Sequence, residues 1–252
     1  MRLLGKLVWV EAKLFVRDPL SMIFTFAFPF FMLVVLAGVF GNDVDASDPE
    51  GLKAWRGVGP VDYYAPAYVA LVMASIGLIA MPLRLAGYRE NGVLRRFRAA
   101  GVPLMTFIGS QVIMGLALTV IAAVGIAVSS RLLYGSMVPR SVPEVVAAYT
   151  IGTICFVAIG IALGAVLPTA RAAQGAGVTL FFAMMMLSGA GPPRGVLSGP
   201  MRWTGDALPL TYVVYALQTP WLGYGWDTWA SLTAVAFTIG AGVLAVRFFR
   251  WD

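Results

Sequence analysis

Histidine is absent from the 252 residues, and cysteine occurs once, at position 155. Without an imidazole, neither a Ser–His nor a Cys–His couple can form within the chain, and a Cys/His zinc site is excluded with them. The lone Cys155 sits in an apolar run and offers no internal disulfide framework. Charge is also scarce. Only 12% of the residues are Asp, Glu, Lys or Arg, about half the share of a soluble domain. So little charge cannot wet a globular surface of this size, which excludes an ordinary soluble enzyme, a disordered chain and a nucleic-acid-binding domain. No G-x-x-x-x-G-K-[ST] segment occurs: Gly5-Lys6 has no glycine upstream and is followed by Leu7. The chain has no phosphate-cradling motor of that kind.

What the sequence does have is apolar surface. Hydrophobic residues make up 60% of it, and the mean hydropathy is +0.84. Crossing ~30 Å of hydrocarbon takes roughly 20 mostly apolar residues. Six stretches qualify: 20–40, 64–83, 104–130, 144–167, 174–190 and 228–247. The expected fold is one all-α transmembrane domain. Ahead of the first span, Leu3, Leu4, Leu7, Val8, Leu14 and Phe15 recur at helical spacing, with Arg2, Lys6, Lys13 and Arg17 on another face. Residues 1–18 therefore read as an amphipathic helix on the membrane surface, ended by Pro19. Its interrupting charges, and the lack of a small-residue site before Asp18, speak against a cleaved signal peptide.

Charge sets the expected orientation. With the N-terminus inside, the inner segments carry twelve of the 18 cations, Arg250 among them, and four of the 12 acids, Asp252 among them. The outer segments carry Lys53, Arg56, Arg131, Arg140, Arg194 and Arg202 with the other eight acids. Both termini are then cytoplasmic. The outer loop 41–63, with Asp43, Asp45, Asp48, Glu50 and Asp62, lacks calcium-loop spacing and reads as a solvated acidic loop. Residues 191–222 are apolar but broken by prolines. They are expected to form short helices near 193–204 and 209–221 that dip back from the outer face.

No ionisable residue lies at mid-depth in a span. Arg84, Arg131 and Glu144 stand at span ends, where they can snorkel. This argues against an ion-driven multidrug carrier, so directed transport has to draw its energy from another chain. The inner loop 84–103 is the segment suited to receive it. It contains Arg89-Glu90-Asn91-Gly92-Val93-Leu94-Arg95-Arg96-Phe97-Arg98, in which Val93, Leu94, Phe97 and Ala100 share one face of a short helix. Arg95, Arg96 and Arg98 occupy the rest, and Glu90 is placed at the N-terminal end, where its charge suits the helix dipole. Two readings stand: a basic loop that fixes topology and touches anionic lipid, or a docking helix that passes on force from a partner.

Tyr68, Val72, Met73 and Ile76 in the second span, and Val178, Phe181, Phe182 and Met185 in the fifth, have the adaptable apolar chemistry of a cavity for large hydrophobic solutes. Packing between helices or against lipid is the other reading of the same residues. Gly160 and Gly164 are expected to serve internal packing, and Gln111 is placed near an inner membrane end.

At this point the chain resembles an ATP-binding-cassette type-2 transporter permease of the bacterial drug-export, daunorubicin-resistance-like branch. The resemblance rests on Lys13-Leu14-Phe15-Val16-Arg17-Asp18-Pro19 with Phe28-Pro29, on the Arg89–Arg98 loop, and on Leu187-Ser188-Gly189 followed by Leu208-Pro209-Leu210-Thr211-Tyr212. Their order and spacing cover nearly the whole chain. The resemblance implies a multi-pass protein of the bacterial inner membrane. It implies a dimer with a second permease copy or paralogue and two ATPase subunits that bind the ATP and magnesium, with no cofactor and no catalytic or metal site in this chain. A hydrophobic small molecule or lipid-like substrate would move outward, and lipid-linked polysaccharide or glycolipid export uses the same architecture. It further implies that Glu90, Asn91, Gly92, Leu94, Arg95, Arg96, Phe97 and Arg98 couple to the ATPase. The second and fifth spans would line the pathway, and Leu187, Ser188, Gly189, Pro192, Pro209 and Tyr212 would form an outer gate. The chain departs from the family pattern at Gly191-Pro192-Pro193 and at Gln218, where an arginine is frequent.

Overall fold

A computed structural model describes residues 2–44 and 47–248. Asp45 in the acidic loop and Arg250 and Asp252 at the C-terminal end lie outside them. Every regular element among the described residues is helical. The order is α1 (Arg2–Val16), α2 (Pro19–Phe40), α3 (Pro49–Ala54), α4 (Pro60–Glu90), α5 (Val93–Ala99), α6 (Leu104–Tyr134), α7 (Val142–Val166), α8 (Ala170–Ser188), a 3-10 turn (Arg194–Val196), α9 (Gly199–Asp206), α10 (Pro209–Leu222) and α11 (Thr228–Phe248). Six of these, α2, α4, α6, α7, α8 and α11, are long and apolar enough to cross a membrane. The sequence leads to the same six.

Helix ends differ from the apolar windows in an instructive way. The second span, expected over 64–83, runs 31 residues from Pro60 to Glu90, so the first part of the expected loop continues the helix. The third extends from an expected end at 130 to Tyr134. Hydropathy marks where hydrocarbon begins, whereas a helix stops where its backbone is capped. Here the stops are Gly92 (φ +64) after the Asn91 turn and Gly135 (φ +66). In α1 the buried stripe is Leu7, Glu11 and Phe15, one turn apart, while Leu3 and Leu14 lie on the exposed side. The outer loop is not wholly solvated either. Asp62 is buried, accepting bonds from the Met137 amide at 2.7 Å and the Asn42 amide group at 3.3 Å, and Asp48 caps α3 through the Glu50 amide.

α4 is the centre of the molecule. Of its most apolar 18-residue window 89% is buried, against 22–50% for the other spans. α2, α6, α7, α8 and α10 wall it in, while α11 leans on α7 and α10. A helix that is apolar all round, with small and aromatic residues interleaved, belongs in such a position.

Two π-turns interrupt the spans, Ile23–Ala27 in α2 and Ile76–Ala80 in α4. Each is followed closely by a proline, Pro29 and Pro82, that cannot donate to the preceding turn. In α4 the Met81 amide reaches back to the Ile76 carbonyl, so the carbonyls of Gly77 and Leu78 lose their ordinary donors. Glycines of neighbouring spans close on both. A side chain at Gly160 would meet the Gly77 oxygen at 2.6 Å, and one at Gly177 would meet the Leu78 oxygen at 1.9 Å. Bare Cα–H groups against freed carbonyls allow this approach. The turn in α2 is also tied to α4 just ahead of its π-turn, because the Ser75 hydroxyl donates to Thr25 Oγ1 at 3.2 Å with both residues buried.

Candidate functional site

One end of the bundle carries α1, the end of α4, and α5; we call it the basic end. The Asn91–Gly92 turn reverses the chain and lays α5 against the bundle. Leu94 is fully buried, and the Phe97 ring meets those of Tyr88 and Phe107, both at 6.3 Å. Ala100 is exposed past the helix end and does not share this face. Glu90 is the last residue of α4, at a helix C-terminus, not in the first turn of α5 as the sequence suggested. Its side chain is exposed, as are those of Asn91, Arg95, Arg96 and Arg98, with Gly92 half-buried between them. Arg89 holds the turn in place. It donates to the carbonyls of Ala165, at 2.9 Å, and Leu167, where the end of α7 leaves acceptors unfilled and its dipole is negative. An apolar side thus clamps α5 down while its cationic side is exposed.

Behind this surface lies a buried polar knot. The Glu11 carboxylate of α1 pairs with Arg84 of α4 at 3.1 Å and accepts from the Tyr88 hydroxyl and from Gln111 of α6, both at 2.9 Å. The Glu11 and Arg84 side chains are 4% and 9% exposed, and Arg84 also donates to the Ala80 carbonyl and lies over the Phe15 ring. Arg84 is therefore a paired, sequestered ion, not the snorkelling cation expected at a span end. A carboxylate needs this company when buried, because each lost partner strands a charge in a medium that cannot solvate it. The sequence signal was present but unread: Glu11 interrupts the apolar i, i+4 stripe of Leu7 and Phe15, which demands a partner from elsewhere.

The two sets of pathway candidates part company. Tyr68, Val72, Met73 and Ile76 are each at most 2% exposed, packed inside the bundle with no surface left open. In the fifth span, Phe181 and Met185 are buried and Val178 is half-buried, while Phe182 is 37% exposed on the outside of the bundle. Phe24 and Phe28 of α2, absent from the sequence-based set, pack edge-on to Phe181 and Phe182 at 5.5–5.9 Å. A separate open groove of about 1120 Å³ runs between α7 and α11, lined by Ile159, Leu163, Phe237, Gly240 and Leu244 among others. None of the pathway candidates lines it.

At the opposite end, α10 is almost wholly buried between α4, α7, α8 and α11, and α9 lies outside it. The expected gate residues do gather here. Ser188 ends α8, and Gly189 turns the chain at φ +91. The carbonyls of Gly189 and Gly191 accept from the Tyr63 and Tyr64 hydroxyls at 3.2 and 2.7 Å, which ties this turn to the start of α4. The Leu187 carbonyl accepts from Arg194, Pro192 is half-buried beside the turn, Pro209 opens α10 in the interior, and the Tyr212 hydroxyl reaches the Asp206 carbonyl at 2.7 Å. Gln218, where an arginine was expected, is fully buried. It donates to the Tyr63 carbonyl at 2.9 Å and accepts from Arg56 at 3.1 Å. A guanidinium therefore reaches this spot from a different loop.

Among the described residues no cluster of three metal-ligating side chains occurs. Comparison with known proteins gives a family model described as ABC-2 type transporter, which matches residues 2–220. No curated protein matches the chain.

Proposed function

The chain belongs to the ABC-2 type transporter family, and from that premise we propose that it is the membrane half of an exporter driven by two ATPase subunits docked on its basic end. As the membrane permease domain of this family it has no ATPase activity of its own, and such permeases pair with ABC ATPase subunits. The observation that carries the reading is α5. Leu94 and Phe97 anchor it, and Glu90, Asn91, Arg95, Arg96 and Arg98 present a mostly cationic surface. Phe97 of α5 packs on Tyr88, whose hydroxyl donates to Glu11 in the knot with Arg84, which gives a push on α5 a route to α1 and to the central span.

In this reading both termini and α5 are cytoplasmic, in a bacterial inner membrane, by the charge asymmetry of the segments. A second permease copy or paralogue faces the α2–α8 side, where Phe182 is exposed and Val178 half-exposed and where Phe24 and Phe28 back them. Hydrophobic small molecules fit such an aromatic wall. Tyr68, Val72, Met73 and Ile76 reach a substrate only when the shell of helices around α4 opens, and the turn at Ser188–Gly189 gates the far end.

The test is reconstitution of the permease with its ATPase in proteoliposomes. Arg95→Glu with Arg96→Glu should leave insertion and permease assembly intact and lower nucleotide-driven transport by about tenfold or more, the scale set by losing one charged contact. Transport equal to wild type, or transport that continues without nucleotide, would overturn the proposal.

A further inference from the structure

Four of the six cations that charge counting places on the outer side gather around one hollow at the capped end, although acids outnumber cations on that side. The hollow has a volume of about 300 Å³ and is lined by Lys53, Arg56, Arg194 and Arg202, with the rings of Tyr63 and Tyr215. Each arginine is held in position. Arg56 has a left-handed backbone, φ +57, a strained conformation for a side-chain-bearing residue. The Tyr224 hydroxyl secures its carbonyl at 2.6 Å. Its guanidinium donates to buried Gln218 and lies over the rings of Tyr215 and Tyr224 at 5.2 and 5.5 Å. Arg202 donates to the Leu197 and Gly195 carbonyls at 2.8 and 3.0 Å. Arg194 donates to Leu187, Thr211 and the Arg202 carbonyl, and pairs with Asp206.

The charges do not balance. Among the described residues Asp206 answers Arg194, and no carboxylate lies within ion-pairing distance of Arg56, Arg202 or Lys53. Carbonyls and aromatic faces orient a guanidinium but leave its charge standing, and three like charges around one cavity repel each other. Planar forks fixed before binding suit a tetrahedral oxyanion, to which arginine donates in pairs. The hollow also reaches Tyr63 in the first turn of α4, and Met201 and Trp203, which flank its Arg202 in α9, are exposed. An aromatic and an apolar side chain left exposed next to a span end suit the headgroup layer.

We propose that this hollow is an anion site that takes a phosphate group, either on a lipid headgroup or as a free phosphate or phosphate ester. The site needs no nucleotide and no ATPase, so it stands or falls separately from the coupling reading.

The test is native mass spectrometry of the full chain in neutral detergent, with dioleoyl phosphatidylglycerol and dioleoylglycerol as probes. Phosphatidylglycerol should be retained about tenfold more strongly than the phosphate-free diacylglycerol. The Arg56→Gln/Arg202→Gln double variant should bring it down to the diacylglycerol level, while Arg56→Lys/Arg202→Lys, which keeps the charge and loses the paired donors, falls between that level and wild type. Lys53→Gln, an exposed change, should give a partial loss even if the double variant does not fold. Millimolar inorganic phosphate separates the sources: displacement of the lipid assigns the site to the phosphate alone, and Arg-dependent retention that phosphate cannot displace assigns it to a lipid headgroup. Equal retention of the two lipids would overturn the proposal. So would wild-type retention in both Gln variants, or an equal loss in Arg131→Gln, a cation at the same end outside the hollow.

Discussion

Glu11 shows how one side chain can hold three helices. Its partners come from positions 73, 77 and 100 residues away, and that distance explains why they were not legible in the sequence. Spacing along a chain reports only neighbours on the same helix, whereas burial of a charge is settled by helices that arrive from elsewhere. Leu94 and Phe97 were legible for the opposite reason, since their fit depends on a single short helix. Gln218, like Glu11, was not legible, because its arginine lies 162 residues upstream. Glu11→Gln should lower detergent thermostability markedly, by roughly 3–5 kcal/mol, because it strands Arg84. Glu11→Met/Arg84→Met should recover part of that stability, since no charge is then stranded, although the Tyr88 hydroxyl and the Gln111 amide lose their acceptor. Thermal unfolding of the purified variants, followed by residual monodisperse fraction, reads both outcomes. If the single variant were as stable as wild type, the ion pair would not be the tie that its burial indicates.

At the level of helices, the six spans were readable because hydropathy alone sets them, and their ends were not, because capping sets those. The π-turns left only Pro29 and Pro82 as a trace. The glycines that close on α4 looked like any small residues in a membrane helix, and only the freed carbonyls opposite them show which ones cannot change. Gly177→Ala places a carbon 1.9 Å from the Leu78 oxygen, so α8 has to move away from α4. Gly125→Ala has nothing within 4 Å to meet. The first should reduce the yield of folded protein severalfold, by a cost on the order of 1–3 kcal/mol, and the second should leave it unchanged. Fluorescence-detection size-exclusion of the two variants side by side decides the matter. Equal profiles would mean that the α4–α8 contact is loose.

Taken whole, the molecule is a ring of helices around α4, with a charged platform at one end and a capped, cation-lined hollow at the other. If the charge asymmetry sets the orientation, a cysteine in place of Arg95 should react with a membrane-impermeant maleimide only in inside-out vesicles, and one in place of Tyr224 only in right-side-out cells. The reverse pattern would put α5 on the wrong side for any ATPase. The basic loop and the short outer helices were legible in the sequence, whereas the burial of the second span at the centre of the bundle was not. Composition describes how oily a helix is and says nothing about which neighbours surround it.

A single rod joins the two extremities. α4 holds the polar knot through Arg84 and Tyr88 and, near its other tip, the turn after α8 through Tyr63 and Tyr64. Its 31 residues amount to about 45 Å of continuous helix at 1.5 Å per residue. A displacement imposed at one tip must arrive at the other nearly undiminished, as along a piston, except for what the π-turn between them can take up by shortening or bending.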